Sequence, residues 1–456
     1  MTEKSKEYHP ALPDGDVTAN PDTCSGGQVF SANPDTGLVS RREFFSGMLG
    51  AGAVLATGAI LVSAGCSSSK KDDLESVVAQ VAQDADIATL KVATDQLLES
   101  AEFAEAPLTD YLVLKNTWDL PKGSLVYVSS DTLAMLLVPG ATTEALIKIG
   151  FIDLTTGELT IVMDQAQRHQ DGYVIYDARA SNRALVWVEC NMQTSEWQVY
   201  CASLTGITLG ESLLIDEGGI DYEPPMLCAN EDKVYWTYMP DPMGPANQED
   251  SYLKTANVTE PQPQVIYTSH GRMITNPVAT EGILTFVPRV DTTNVYYQLT
   301  ALETSDDSVV AVNILPQALR VTDAIYMSGS FTFCTESNYD YAGGLAYFGT
   351  YRDLGDGSYL HVNKMPTSAA VQWKQHLILK STRNIVGLDT ANKKFFVFDA
   401  LAESADYGDI LAAWGIQDNV VIYTTVGSKS GLSTGTTRLR VFGEQVDNVQ
   451  TSDPRQ

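Results

Sequence analysis

Positive charge is scarce in this chain of 456 residues, which carries 29 lysines and arginines against 57 aspartates and glutamates. The formal net charge is therefore -28. Such a field repels phosphate backbones and bare anionic lipid surfaces, so it argues against a nucleic-acid-binding function. It tolerates cationic ligands and basic partner surfaces, and it also keeps an exposed protein soluble.

Motifs for metal, haem and phosphate binding are missing as well. None of the six cysteines forms a CxxC pair, and the five histidines show no HxxxH or HExxH spacing. No Gly-x-Ser-x-Gly elbow stands before a helix, and no Gly-rich phosphate loop or Trp-rich repeat of the quinone-dependent dehydrogenases occurs. The sequence therefore predicts no cofactor, no metal site and no recognisable catalytic residue.

An export motif is present near the N-terminus. Residues 40–46 read Ser-Arg-Arg-Glu-Phe-Phe-Ser and are similar to the twin-arginine consensus Ser/Thr-Arg-Arg-x-Phe-Leu-Lys. Three residues carry the match: Arg41, Arg42 and Phe44. The uncharged run 47–62 is short for a spanning helix, which needs roughly 20 strongly apolar residues, but it suits a signal peptide. We expect export by the twin-arginine translocase, with a polar, disordered region over 1–39.

The apolar run ends at a candidate lipid-attachment site. Ala64 and Gly65 are the small residues that a lipobox places before its cysteine, here Cys66, and the polar tether Ser67–Asp73 follows. We expect Cys66 to carry a lipid anchor that holds the folded part at the outer face of the cell membrane, an extracytoplasmic, oxidising space. The alternatives are cleavage without lipid, or retention of 47–62 as an uncleaved anchor.

A helical spacer is predicted next, within residues 67–109. Apolar residues recur at helical spacing over 74–105, and no proline or glycine interrupts this stretch before Pro107. The spacer would separate the anchor from the folded domain.

From about residue 110 the pattern changes to short β-type runs separated by turn residues. One apolar strand recurs roughly every 50 residues, which is the period of a four-stranded propeller blade. Its seven copies are 133–137, 185–188, 234–237, 283–286, 331–333, 377–379 and 420–423. These predict an all-β propeller of seven blades over 110–445, followed by a flexible tail over 446–456. The seventh repeat lacks an outer strand, which Tyr111–Leu114 would supply, closing the ring.

These features resemble a group of exported bacterial lipoproteins of unassigned activity. The blades are also similar to TolB-like and YWTD-type blades, as in Asn182 to Trp187, and Tyr235-Trp236-Thr237-Tyr238 comes nearest to the Tyr-Trp-Thr-Asp tetrad. The Ser-Pro-Asp-Gly of TolB repeats is missing. The resemblance implies a fold and a location, and no chemistry.

Two long inserts, 238–252 and 335–347, are the candidate ligand-binding loops. Each mixes aromatic rings with carboxylates or amides, which suits a sugar, a peptide or a cationic ligand. The candidate residues are Tyr238, Asp241, Glu249, Asp250, Glu336, Tyr339, Asp340 and Tyr341. Cys190 and Cys201 flank a hairpin and would form a disulfide in one strand register.

Three functions remain open. The leading hypothesis is a non-catalytic scaffold that binds a ligand or a protein partner at the membrane. The second is a glycan-active hydrolase or lyase that uses carboxylates at the propeller mouth. The third is a solute-binding or sensor lipoprotein.

Overall fold

The structure is a computed structural model that describes residues 87–140, 147–290, 294–363, 370–402, 404, 408–428 and 431–444. Within these ranges the chain forms β-strands and short 3-10 turns, and no α-helix. The strands assemble into seven sheets. The all-β class predicted from the sequence is confirmed.

Three strands precede the sheets: β1 (Leu97–Glu99), β2 (Ala104–Glu105) and β3 (Leu112–Leu120). Sheet I contains β4 (Leu125–Val128), β5 (Leu133–Val138), β6 (Lys148–Asp153) and β7 (Leu159–Met163). Sheet II contains β8 (Tyr173–Ala180), β9 (Ala184–Asn191), β10 (Trp197–Thr205), β11 (Thr208–Leu209) and β12 (Leu213–Gly218). Sheet III contains β13 (Leu227–Asn230), β14 (Lys233–Tyr238), β15 (Ser251–Asn257) and β16 (Glu260–Ser269).

Sheet IV contains β17 (Val278–Thr280), β18 (Ile283–Phe286), β19 (Gln298–Glu303) and β20 (Val309–Ile314). Sheet V contains β21 (Val321–Met327), β22 (Ser330–Thr335), β23 (Gly349–Asp353) and β24 (Tyr359–Val362). Sheet VI contains β25 (Val371–Trp373), β26 (His376–Ser381), β27 (Asn384–Asp389) and β28 (Lys394–Val397). The last strands are β29 (Ile410–Leu411), β30 (Gly415–Ile416), β31 (Val420–Ser428) and β32 (Gly431–Glu444), of which β30 joins sheet VI and the other three form sheet VII together with β3. The 3-10 turns are Thr94–Gln96, Ser100–Glu102, Leu108–Asp110, His169–Asp171 and Gly343–Ala346.

The repeated apolar motif of the sequence is the second strand of each sheet, from β5 to β31. These strands are covered on both faces, and every residue of β9 is buried. A strand buried on both faces carries a continuous apolar run rather than an alternating one. The burial of the second strand therefore explains why this motif was readable in the sequence.

Seven clusters of buried apolar side chains fill the spaces between the sheets. Six clusters join sheets that follow each other in the chain, from I and II to VI and VII. The seventh cluster packs Leu136 and Ile152 of sheet I against Val421 and Leu439 of sheet VII. Sheets that pack face to face around a closed circuit form a β-propeller.

The predicted helical spacer is wrong for its described part. Residues 90–111, here called the strap, run along the outer edges of sheets IV, V and VI as two short strands separated by 3-10 turns. The Leu90 N–H donates to Ile314 O at 2.6 Å, β1 pairs in parallel with β24, and β2 pairs in parallel with β28. Val92 and Phe103 are buried between the sheets. Open sheet edges offer the strap backbone hydrogen bonds together with apolar burial, and this outweighs its helical spacing.

The strap leads directly into the closing strand. β3 pairs antiparallel with β32 over eight residue pairs, from Leu112 with Glu444 to Leu120 with Thr437. The prediction that Tyr111–Leu114 supplies the outer strand of the last sheet is confirmed, and the strand extends further to Leu120. Sheet VII therefore combines β3, which directly follows the strap, with β32, the last strand that the structure describes.

Candidate functional site

The loop between β14 and β15, residues 239–250, is folded back on the segment that leads into sheet III. The Asp241 N–H donates to Asp221 O at 2.8 Å, and the Glu223 N–H donates to Met239 O at 3.1 Å. This loop is called the sheet III loop below. These two backbone hydrogen bonds hold the loop against the segment 221–223.

Arg272 clamps the sheet III loop from the segment that connects sheets III and IV. Its Nη2 lies 2.6 Å from Glu223 Oε1, and its Nη1 donates to Pro240 O. Both partners of the ion pair are partly exposed, so the pair contributes about 1 kcal/mol or less. The clamp therefore orients the loop more than it stabilises the fold.

The turns inside the loop are ordered by its own polar groups. Asp241 Oδ1 accepts the Met243 N–H at 2.8 Å, which forms an Asx turn. The Gly244 N–H donates to Asp241 O at 3.0 Å, and the Glu249 N–H donates to Ala246 O at 2.8 Å. The loop is a run of successive hydrogen-bonded turns.

Two apolar side chains stand out of this ordered base. Met243 is 86% exposed and Ile220 is 70% exposed, the two highest values among the large apolar residues that the structure describes. The bond between Asp241 and Asp221 brings their stretches of chain together. Exposed apolar side chains rimmed by polar groups are typical of interaction sites. We call Ile220, Met243 and the adjoining Asp221 and Asp241 the apolar tip.

Tyr238, predicted as a ligand contact, is used inside the fold. Its ring centroid lies 4.5 Å from that of Tyr222 and 5.7 Å from that of Trp197, and Lys254 Nζ lies 4.1 Å from it. Burial raises the pKa of Tyr238 to about 12, with the Tyr222 hydroxyl nearby as a smaller cause. Tyr238 therefore packs within the fold at the start of the sheet III loop.

Glu249 and Asp250, also predicted, lie at the end of the loop and have partners. The Tyr222 hydroxyl donates to Glu249 Oε2 at 3.3 Å, and His270 Nδ1 lies 3.4 Å from Asp250 Oδ1. Burial, followed by the nearby Glu249 carboxylate, raises the pKa of Tyr222. These contacts leave both carboxylates at the surface, close to the apolar tip in sequence.

The second predicted loop, in sheet V, packs on a different neighbour. Tyr339 Oη accepts the Arg320 N–H at 3.2 Å, and the Tyr341 hydroxyl donates to Gln317 O at 2.7 Å. The loop also meets the strap, because the Gly344 N–H donates to Val92 O at 2.6 Å. The two tyrosines therefore fasten this loop to the segment between sheets IV and V.

The remaining predicted residues of that loop, Glu336 and Asp340, are exposed. The sheet III loop is held by the segments at 221–223 and 272, whereas the sheet V loop is held by 317–320 and the strap. Both inserts lie between the second and third strands of their sheets, as predicted, but each makes these contacts with its own neighbour.

A cluster near the inner strands was not predicted. Arg179 Nη1 lies 2.6 Å from Asp177 Oδ1, and the guanidinium carbon lies 3.9 Å from the Tyr127 ring centroid and 5.9 Å from that of Trp414. Residues from sheets I and II and from the segment before β30 meet here. Residues so far apart in sequence carry no local signal that sequence reasoning could have used.

The predicted disulfide is wrong. Cys190 is opposite Trp197 and Cys201 is opposite Val186, so the two cysteines are four rungs apart on neighbouring strands, roughly 13 Å along the ladder. Both are buried free thiols, as are Cys228 and Cys334. Burial raises the pKa of Cys201 to about 11 and that of Cys228 to about 12, so these thiols are protonated and inert.

Several predictions lie outside the described residues: Arg41, Arg42, Phe44 and Cys66. In the described ranges no helix is long and apolar enough to cross a membrane. The same ranges hold no group of three or more histidine, cysteine or carboxylate side chains placed to bind a metal ion.

No family model and no curated protein matches the chain. It is similar to a structure from a study of two prolyl endopeptidases, with a TM-score of 0.48, 11% identity and coverage of 70% of this chain and 47% of that one. It is similar to the β-propeller domain of the Trilobed protease from Pyrococcus furiosus (TM-score 0.45, 10% identity, 76% of this chain, 99% of that one). It is also similar to an oligogalacturonate lyase in complex with manganese, with a TM-score of 0.44, 10% identity and coverage of 75% of this chain and 98% of that one. The chain spans about half the length of the endopeptidase.

Proposed function

We propose that this protein is an extracytoplasmic, membrane-anchored binding module that docks a protein partner on the apolar tip of the sheet III loop. The observation that carries the proposal is the exposure of Met243 and Ile220 on a base ordered by hydrogen bonds. A preordered loop loses little conformational entropy on binding. An exposed methionine adapts its shape to an apolar partner surface.

The charge of the chain selects the class of partner. Asp221 and Asp241 adjoin the apolar tip, and the net charge of the chain is -28. Complementary charge speeds encounter and rejects like-charged surfaces. The proposed partner is therefore a protein with an apolar patch surrounded by lysine or arginine.

The anchor would set where this module works. We propose that the twin-arginine signal exports the chain and that Cys66 is lipidated. Leu90, the first of the described residues that bonds to a sheet, follows Cys66 by 24 residues, which span at most about 80 Å when extended. Mass spectrometry of the mature N-terminus tests this, and an unmodified Cys66 in the membrane-extracted protein would refute it.

The ring would be made of seven blades, one for each sheet. Seven apolar clusters, one between each pair of neighbouring sheets, support this count. Such a rigid ring would hold the sheet III loop in one orientation.

The test is site-specific photo-crosslinking in intact cells, with the crosslinker at position 242 beside Met243. We expect a discrete crosslinked product that weakens at high salt and is lost in the Ile220→Ser, Met243→Ser double variant. Met192→Ser is the matched control, since Met192 is 42% exposed in a hairpin of sheet II. Crosslinking that is unchanged in the double variant would contradict the proposal.

A further inference from the structure

A polar cleft lies between the outer half of sheet III and a hairpin turn of sheet IV, away from the sheet III loop. Its volume is about 460 Å³, which falls within the roughly 300 to 1,000 Å³ of small-molecule sites. Here the lining is polar: Lys233, Thr255, Glu260, Gln262, Gln264 and Asp307.

One wall of the cleft is a row of long polar side chains on β16. Glu260, Gln262 and Gln264 all line the cleft, and they alternate along the chain with Pro261 and Pro263. Within the described part of the chain, their side chains make no hydrogen bond or ion pair. The prolines lack N–H donors, and they keep this edge from pairing with another strand.

The opposite wall is rigid. Lys233 Nζ donates to Thr304 O at 2.6 Å and lies 3.5 Å from Asp307 Oδ1. The Asp307 N–H donates to Glu303 O at 2.9 Å, which fixes the turn. Burial raises the pKa of Asp307, and the neighbouring Lys233 partly opposes this. The wall therefore presents a fixed ammonium and a fixed carboxyl.

Asp307 Oδ1 lies 3.5 Å from Lys233 Nζ and has no closer hydrogen-bond partner among the described residues. So long a contact leaves this oxygen with hydrogen-bonding capacity to spare. A ligand hydroxyl that donates a hydrogen bond would use this capacity.

From this arrangement we infer that the cleft binds a neutral oligosaccharide, whose hydroxyls bond to the β16 amides on one side and to Lys233 and Asp307 on the other. Amides and hydroxyls each donate and accept, so they match a row of sugar hydroxyls. Acidic glycans are disfavoured by Glu260, by Asp307 and by the net charge of -28.

The experiment is isothermal titration calorimetry of the full exported protein with cellohexaose, mannohexaose and chitohexaose, and with an oligogalacturonate of similar length as the acidic probe. We expect one neutral probe to bind with a Kd of about 1 mM or lower. The Gln262→Ala, Gln264→Ala double variant should raise this Kd at least tenfold. Gln193→Ala, at an exposed glutamine in sheet II, should leave it unchanged.

A second variant tests the opposite wall of the cleft. Asp307→Asn keeps the shape of the side chain, removes its charge and is expected to raise the Kd severalfold while the melting temperature stays near that of the parent. No binding of any neutral probe up to about 10 mM would overturn the inference. So would tighter binding of the oligogalacturonate, or an unchanged Kd in the glutamine double variant. None of these changes touches the apolar tip, so the crosslinking result is independent.

Discussion

Gly344 of the sheet V loop donates its N–H to the carbonyl oxygen of Val92 in the strap at 2.6 Å. A Cβ at Gly344 would lie 2.8 Å from that oxygen, which is closer than real Cβ atoms approach. The loop and the strap are therefore joined at a point where only glycine fits.

Gly344→Ala should weaken the docking of the strap. The methyl group would push the strap from the sheet V loop, and overpacking of this kind costs about 1 to 3 kcal/mol. Urea unfolding measures the loss as a lower midpoint at an unchanged slope. Gly219→Ala is the control, because nothing lies within 4 Å of a Cβ there. Equal midpoints for the two variants would contradict the prediction, because they would show that the strap accommodates the added methyl group without loss of stability.

Gly415→Ala should lower the free energy of unfolding by more than the strain of a left-handed backbone alone. Gly415 has a φ of +73°, and a Cβ there would lie 2.5 Å from Thr280 Cβ of sheet IV. Strain at such a φ costs about 1 kcal/mol, and the clash should bring the total to roughly 3 kcal/mol. Gly206→Ala shares the positive φ, at +62°, but has open space. Thermal unfolding should separate the two, and similar melting temperatures would refute the close approach.

Lys380 should make stability depend on pH in the alkaline range. Burial lowers its pKa to about 8, although the nearby Asp409 opposes this shift. The unfolded chain, with a lysine pKa near 10.4, then binds more protons than the folded chain between about pH 8 and 10. The Lys380 amine should therefore make the free energy of unfolding rise with pH across this window, because the buried amine loses its charge.

The check is the unfolding free energy at several pH values from 7 to about 10.5. Lys380→Met should reduce the rise of the unfolding free energy with pH in this window. Lys115→Met, at an exposed lysine, should leave the dependence of the unfolding free energy on pH unchanged. Identical slopes for the two variants would mean that Lys380 keeps an ordinary pKa in the fold.

The sequence predicted the sheets well because one strand in each is buried on both faces. Such strands, among them β9 with Trp187 at its centre, carry continuous apolar runs that stand out at a regular interval. The pairing of β3 with β32 was also predictable, since the last repeat lacked an outer strand and a free apolar run preceded the first.

The failures lie where a local pattern competes with a contact distant in sequence. The stretch 90–105 has helical spacing, yet Val92 and Phe103 are buried at sheet edges that no local pattern reveals. Cys190 and Cys201 flank a hairpin, but the ladder register separates them. The loop residues were found by composition, whereas the tyrosine contacts that hold them depend on neighbouring sheets.

The sequence by itself determined the class of fold, the strand repeat and the acidic charge, because burial pattern and composition are local properties that each residue carries. Only the tertiary structure decided that the strap pairs with the sheet edges, that the four described cysteines are free and that the stretches of chain carrying Ile220 and Met243 meet. The contact of Gly344 with Val92 shows the reason: the partners are 252 residues apart, and the energy of their contact exists only once the sheets have packed.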